Sequence, residues 1–341
     1  MRKVLIAEAV GEVLGYDITE ISRSSNYKGV AFKRGHIIQE DDLATLQRLG
    51  KNHVYLWEGS ESEVHEDTAA LLMAPKIAGE NIHFDDQPRE GKVSFFATTR
   101  GIFKVDKDRL EQINSLEIPS LPTIHNNFPV TKDKQVAAFR IIPLTCGREV
   151  IDQMANFLDR PLISVKPFII RSAAILVTGN EVHSGRITDD FTPTLTTKLK
   201  QFGVEIKYSR ILPDSKLDIS QAIRQAAEQS ELILVSGGTS VDPDDVTVAA
   251  MKEAGVQFHH QGNPIQPGNN LTIGKVGEIT VCAVPAAALF YDKTALDIFL
   301  PRVLAGEAIT PQDIAKAGHG GLCHFCPKCQ YPICPFGWGS S

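Results

Sequence analysis

A chain of 341 residues is long enough for two or three domains that each bury a core, and too long for one small module. Its formal charge of -6 provides no basic field for the phosphates of a nucleic acid. No apolar run approaches the ~18 residues that span a bilayer, and the apolar start Val4-Leu5-Ile6 is broken at once by Glu8 and Glu12. The expectation is a cytoplasmic protein without signal peptide, with neither a membrane nor a nucleic acid as partner.

The first sixty residues predict a small α+β unit, 1–60: an opening strand, a polar stretch, a short helix and a second strand. Asp41-Asp42 precede Leu43, Leu46 and Leu49 at helical spacing, Gly50 ends the helix, and His53 to Trp57 is extended. A second α+β region, 61–165, follows. It is expected to hold a helix over Glu66 to Ala78, strands over Val93 to Thr98 and Gly101 to Val105 joined by a turn at Thr99-Arg100, and a helix over Asp106 to Leu116. The stretch Ile118 to Pro129 contains three prolines and serves as a connector to a strand, Gln135 to Pro143, and a helix, Gly147 to Leu158. A boundary falls near Pro161 to Pro167.

Strand and helix then alternate: strand Ala173 to Val177, helix Asp189 to Phe202, strand Val204 to Ile211, helix Asp218 to Gln229, strand Leu232 to Val235, helix Asp245 to Ala254. Alternation of this kind implies an α/β domain, 166–309, built on a doubly wound, mostly parallel sheet. Such sheets bind ligands beyond the carboxyl ends of their strands, where loops open onto helix N-termini. One long amphipathic helix, Ala286 to Ala305, is expected to close the domain, with Leu289, Leu296, Phe299, Leu300 and Val303 in the core. Lys198 and Lys200 are assigned to a solvated helix face.

Two loops stand at the ends of predicted strands. The first is Thr178-Gly179-Asn180-Glu181, where a glycine allows a tight turn whose amides face an anion. The second is Ser236-Gly237-Gly238-Thr239-Ser240, which offers hydroxyls and backbone N–H groups to a phosphate. Acids follow each loop: Asp189-Asp190 after the first, and Asp242, Asp244 and Asp245 after the second. Carboxylates beside a phosphate suit a hard cation such as magnesium; aspartates in these positions also cap helices, and the two roles are compatible.

The segments TGNEVHSGRITDDF and, about fifty residues later, ILVSGGTSVDPDDVT resemble the molybdopterin-binding domain shared by molybdopterin adenylyltransferases and molybdopterin molybdenumtransferases. The resemblance covers roughly Ser172 to Gly306 and implies the doubly wound fold derived above. It implies that Ser236, Gly237, Gly238, Thr239 and Ser240 hold the terminal phosphate of the pterin, with Thr178, Gly179, Asn180 and Glu181 beside it. Asp189 and Asp245 match the family's acids and are the candidate catalytic or metal-holding carboxylates. AVGEVLGYDIT is similar to the opening of the molybdenumtransferases, KGVAFKRGHIIQEDDLATLQRLGKNHVYL to its continuation in a related group, and together with the tail they resemble a group of prokaryotic molybdopterin-binding proteins. Family members form oligomers, so a homo-oligomer is expected.

The chain departs from that pattern. Pro267-Gly268-Asn269-Asn270 stands where the molybdenumtransferases have Pro-Gly-Lys-Pro, and Val284-Pro285-Ala286-Ala287-Ala288 where they have Leu-Pro-Gly-Asn-Pro. Asp244 stands where the adenylyltransferases carry an arginine beside the Asp-Val-Thr acid.

Residues 310–341 form a cysteine-rich tail. Of the six cysteines, Cys146 and Cys282 stand alone in apolar surroundings, while Cys323, Cys326, Cys329 and Cys334 give the spacing C-x2-C-x2-C-x4-C. It is close to the ferredoxin run C-x2-C-x2-C-x3-C-P, so a metal is expected, an iron–sulfur cluster or zinc. Gly320-Gly321 is expected to be a flexible hinge into the tail, and the alternative to a metal is an unmetallated, disordered end.

The leading functional reading is a protein that binds molybdopterin or the molybdenum cofactor and takes part in its maturation, storage or delivery to a molybdenum or tungsten enzyme. The alternatives are an active molybdenumtransferase or adenylyltransferase, a sensor responding to pterin or redox state, and a nucleotide pyrophosphatase.

Overall fold

The computed structural model describes residues 1–22, 26–57, 62–237 and 246–340. They group into two units, one of Met1–Phe96, Val105–Thr123 and Gln135–Ser164, the other of Ala97–Lys104, Ile124–Lys134 and Val165–Ser341.

In the first unit the opening strand Arg2–Leu5 pairs antiparallel with His53–Leu56, and Val4, Ile6, Leu14, Ile18, Leu46, Val54 and Leu56 make a small core of their own. The helix Asp42–Arg48 contributes Leu46 to it. The helix Glu66–Ile77 buries Ala69, Ala70, Met73, Ala74 and Ile77, at the 3–4 residue spacing of one helix face. At its start burial raises the Glu66 carboxyl to about 7, although Arg140 lies 3.1 Å away and opposes the shift. The expected neighbours Val93–Ala97 and Gly101–Val105 do not form a hairpin: the former pairs with Gln135–Ile141 and the latter with Pro129–Val130 and Ile163–Pro167. Short strands with one turn between them leave pairing open in sequence, because either edge of each strand satisfies its hydrogen bonds.

The second unit is built on a six-stranded sheet whose spatial order is Glu205–Leu212, Ser172–Thr178, Leu232–Ser236, Ile279–Val284, Thr272–Val276, Gln257–His260. The first four strands are parallel, Thr272–Val276 runs antiparallel to both its neighbours, and Gln257–His260 closes that edge in the direction of the first four. The fold is therefore α/β, a doubly wound and mostly parallel sheet. Its central strands are continuous apolar runs because both faces are covered. Ala173, Ile175, Val177, Leu232 and Leu234 meet Leu195 and Leu199 of helix Phe191–Lys200 and Leu296, Phe299, Leu300 and Val303 of helix Ala295–Leu304. Ala174, Leu176, Ile233 and Val235 meet Ile219, Ala222, Ile223 and Ala226 of helix Lys216–Ala227, with Ala250 and Met251 of helix Thr247–Glu253. The strand Glu205–Leu212 alternates between half-buried and exposed positions, as an edge strand does.

Two expectations are corrected here. The long helix Ala286 to Ala305 is two helices, Ala287–Phe290 and Ala295–Leu304. The break is set by Thr294, whose extended backbone starts a capping box with Asp297, a stronger local start than a continued turn. Lys198 is not on a solvated face: it is 8% exposed, and its Nζ meets both carboxylate oxygens of Asp297 at 2.9 Å and the Asp292 carbonyl at 2.7 Å. Periodicity places a residue on a face but does not say what that face meets.

A second buried charge group closes the unit near its last helix. Glu307 accepts from Lys104, Lys166 and Arg302, and Arg302 also lies 3.2 Å from Asp313, which caps helix Pro311–Lys316. Burial alone raises the Glu307 carboxyl, but the hydrogen bonds from its cationic partners outweigh it and bring the carboxyl down to about 2. A folded value below the unfolded one means stability that is full above about pH 4.5 and is lost as pH falls towards 2. Glu307→Gln is expected to remove about 3 kcal/mol at neutral pH and to flatten the pH dependence of the urea midpoint between pH 4.5 and 2. An unchanged profile would show that the three cations find other partners.

Candidate functional site

The ligand-binding end of such a sheet is where its parallel strands stop, and here the strands Ser172–Thr178 and Leu232–Ser236 stop side by side, with Val177 opposite Ser236. Two hydroxyls and one glycine lock those ends together. Thr178 Oγ1 donates to the Ser236 carbonyl at 3.2 Å and lies 3.2 Å from Thr247 Oγ1, which donates to the Gly237 carbonyl at 2.9 Å. Gly237 has φ +91°, and a Cβ there would sit 2.7 Å from Thr178 Oγ1 and closer still to the Thr178 carbonyl oxygen. Only glycine fits this approach.

Ser236 ends its strand with a side chain that is fully buried, and its Oγ has no hydrogen-bond partner among the described residues. A buried hydroxyl left unpaired costs about 1–3 kcal/mol, so it marks a place where a ligand's acceptor is expected. Gly238, Thr239 and Ser240 of the same loop, and Asp242, Asp244 and Asp245 after it, lie outside the described residues.

The first loop differs in detail from its reading. The Gly179 N–H donates to the Leu212 carbonyl at 3.2 Å, and the Asn180 N–H donates to the Asp214 carboxylate at 2.9 Å while the Asn180 side chain accepts from Asp214 N–H at 3.1 Å. Both amides offered to an anion are thus engaged inside the protein, and anion binding at this turn falls to side chains. Thr178 is buried, whereas Asn180 and Glu181 are exposed. Asp189 Oδ1 accepts from Phe191 N–H at 2.9 Å and Thr192 N–H at 3.0 Å, so this aspartate starts helix Phe191–Lys200 as a cap. Thr247 is a residue that motif reading passed over; its signal was the threonine closing the Asp-Asp-Val-Thr stretch, and its work is structural, tying two strand ends.

Residues 174–304 match the family model described as a probable molybdopterin binding domain. The chain carries a domain of this family. Residues 3–58 match a second model, described as a domain of unknown function. A CinA-like protein of Mycolicibacterium gilvum is 34% identical over 105 residues, 30% of this chain and 24% of the relative, so the chain spans about a quarter of that relative's length. Among solved structures, the tungsten cofactor synthesizing protein MoaB from Pyrococcus furiosus is 16% identical with a TM-score of 0.30, covering 41% of this chain and 99% of that one. The molybdopterin biosynthesis Mog protein from Mycobacterium ulcerans is 23% identical with a TM-score of 0.32, covering 39% and 97%.

Within the molybdopterin-binding domain the two departures from the family turns are structured. Asn263 Nδ2 donates to the carbonyls of Gly268, Asn269 and Leu271 at 3.0, 3.2 and 3.3 Å, which fixes the turn without a lysine. Pro285 to Ala288 continue from the strand end at Val284 into helix Ala287–Phe290; Ala287, where the family pattern has an asparagine, is half-buried, and Ala288, where it has a proline, is buried. Helix Phe191–Lys200 and the segment Ala288 to Lys293 line a cavity of about 600 Å³.

The cysteines divide as their spacing suggests. Cys146 and Cys282 are buried free thiols, and burial pushes Cys282 up to about 12. Cys323, Cys326, Cys329 and Cys334 all line a second cavity, of about 290 Å³. Among the described residues no three His, Cys, Asp or Glu side chains converge as a ligand set for a single metal ion. No helix of the described residues is long and apolar enough to cross a membrane.

Proposed function

We propose that this protein binds molybdopterin or the molybdenum cofactor through its phosphate and takes part in cofactor maturation, storage or delivery to a molybdenum or tungsten enzyme. The observation that carries the reading is the Ser236-Gly237 strand end: a buried hydroxyl without a partner among the described residues, beside a glycine that no other residue can replace, in a domain of the molybdopterin-binding family. In this reading Ser236, Gly237, Gly238, Thr239 and Ser240 hold the phosphate and Thr178, Gly179, Asn180 and Glu181 border the pterin. Asp189, through the carboxylate oxygen not used in capping, and Asp245 stand near enough in sequence to the two loops to hold magnesium. The loss of the family's lysine at Asn269 and of its glycine and asparagine at Ala286 and Ala287 favours holding and handing on the cofactor over inserting metal into it.

The experiment is purification from a host that makes molybdopterin, followed by oxidation to the fluorescent pterin derivative and its assay. Wild-type protein is expected to retain pterin, and Gly238→Asp, which places a carboxylate where a phosphate is held, to retain at least about tenfold less. Equal retention in the two, or none in either when pterin is supplied in excess, would overturn the assignment. Turnover of adenylylated molybdopterin by the wild type would replace handling with catalysis.

A further inference from the structure

The tail is a folded loop fastened at several points. Gln266 donates its N–H to the Gly321 carbonyl and accepts from Cys323 N–H, both at 2.8 Å, and Gly337 N–H closes the loop on the Gly320 carbonyl at 3.0 Å. The glycine pair expected to act as a hinge is therefore pinned on both sides. Phe336 is 2% exposed in the main core, and Trp338 stacks on His125 and Phe128 at 4.9 and 5.2 Å while its indole N–H donates to the Cys334 carbonyl. Tyr331 reaches the Asp297 carbonyl at 3.1 Å. This scaffold presents all four tail thiols to one cavity of about 290 Å³.

We propose that Cys323, Cys326, Cys329 and Cys334 hold one [4Fe–4S] cluster in that cavity. Tetrahedral zinc, with bonds of about 2.3 Å, draws its four sulfurs to within roughly 4 Å of one another and leaves no room between them. A cluster takes one thiolate on each of its irons, so its ligands stand around a body with volume of its own. The spacing C-x2-C-x2-C-x4-C is close to the ferredoxin run, and the four cysteines line one space with a volume of its own, which suits the second arrangement. The Phe325 N–H donates to Cys323 Sγ at 3.4 Å, the kind of hydrogen bond to a ligand sulfur that tunes a cluster's potential. Aromatic rings border the space: Tyr291 meets Phe325 at 5.9 Å and Tyr331 meets Phe336 at 6.4 Å. On binding, each thiol gives its proton to solvent and its sulfur to one iron, with two ferric ions, two ferrous ions and four sulfides supplied from outside, so that no further oxidant is needed.

The cavity shares Phe290, Tyr291, Asp292 and Lys293 with the 600 Å³ cavity along helix Phe191–Lys200. Those four residues follow directly on the Val284 to Ala288 turn at the carboxyl end of the sheet, so the cluster stands on the segment that leaves the ligand face. The proposal does not depend on pterin binding, and the two fail separately because pterin and metal are assayed apart.

The test is anaerobic reconstitution of the full chain with equal amounts of ferric and ferrous iron and with sulfide, then iron, sulfide and zinc analysis, visible absorption, and electron paramagnetic resonance after dithionite reduction. Wild type and Cys146→Ala are expected to hold about four iron and four sulfide per chain with a one-electron-reducible signal. Cys326→Ala/Cys329→Ala, whose side chains are both exposed, is expected to lose the iron, the band and the signal while keeping its far-ultraviolet circular dichroism. Stoichiometric zinc in place of iron, no bound iron after reconstitution, or equal iron in the double variant would overturn it.

Discussion

Lys198→Met is expected to lower the stability of the second unit by about 3–5 kcal/mol, read as a fall in the urea midpoint at unchanged slope. The substitution keeps the length and apolar stem of the side chain but removes the charge that meets Asp297 at 2.9 Å and the Asp292 carbonyl at 2.7 Å. Asp297 cannot be released to water, because it is buried and is also the cap of helix Ala295–Leu304 through Thr294. Lys293, 3.3 Å from the same carboxylate, is the one residue placed to compensate among its described cationic neighbours. A loss below about 1 kcal/mol would show that Lys293 takes over the pair, as exposed pairs of that worth are common. The result also bears on the cysteine cavity, since Asp292 and Lys293 form part of its wall.

Gly237→Ala is expected to abolish pterin retention and to cost about 2–5 kcal/mol, the sum of a left-handed backbone at a residue with a Cβ and a clash in a closed space. The added carbon would lie 2.7 Å from Thr178 Oγ1, so the substitution pushes apart the two strand ends that Thr178 and Thr247 hold together. Gly277→Ala is the matched control: its φ is +57° and nothing lies within 4 Å of the added carbon, so only the backbone term of about 1 kcal/mol remains. Retention of pterin by a folded Gly237→Ala protein would remove this strand end from the binding site. Thermal melts of the three proteins, alongside the fluorescent pterin assay, separate loss of fold from loss of site.

The alternation of strands and helices from Ala173 to Ala254 was legible because the pattern is local: runs of apolar residues at strand length separated by helical spacing. The strands Thr272–Val276 and Ile279–Val284 were not assigned, since they are separated by a two-residue turn and adjoin the apolar run that leads into helix Ala287–Phe290. The glycine loops were found by their residue types, but the engagement of the Gly179 and Asn180 amides depends on Leu212 and Asp214, which no spacing rule places beside them. Thr247 escaped because a threonine at the start of a helix is ordinary until its hydroxyl is seen to bridge two strand ends.

The sequence by itself determined the doubly wound sheet, the two glycine loops at its strand ends and the four-cysteine spacing, because each is written in residues close together along the chain. Only the tertiary structure decided that Lys198 is buried against Asp297, that the Ser236 hydroxyl is unpaired among the described residues and that the tail cysteines share one cavity. These depend on groups far apart in the chain. Whether a polar atom is satisfied is settled by what packs against it, and a one-dimensional pattern carries the face a residue occupies without the partner that face will meet.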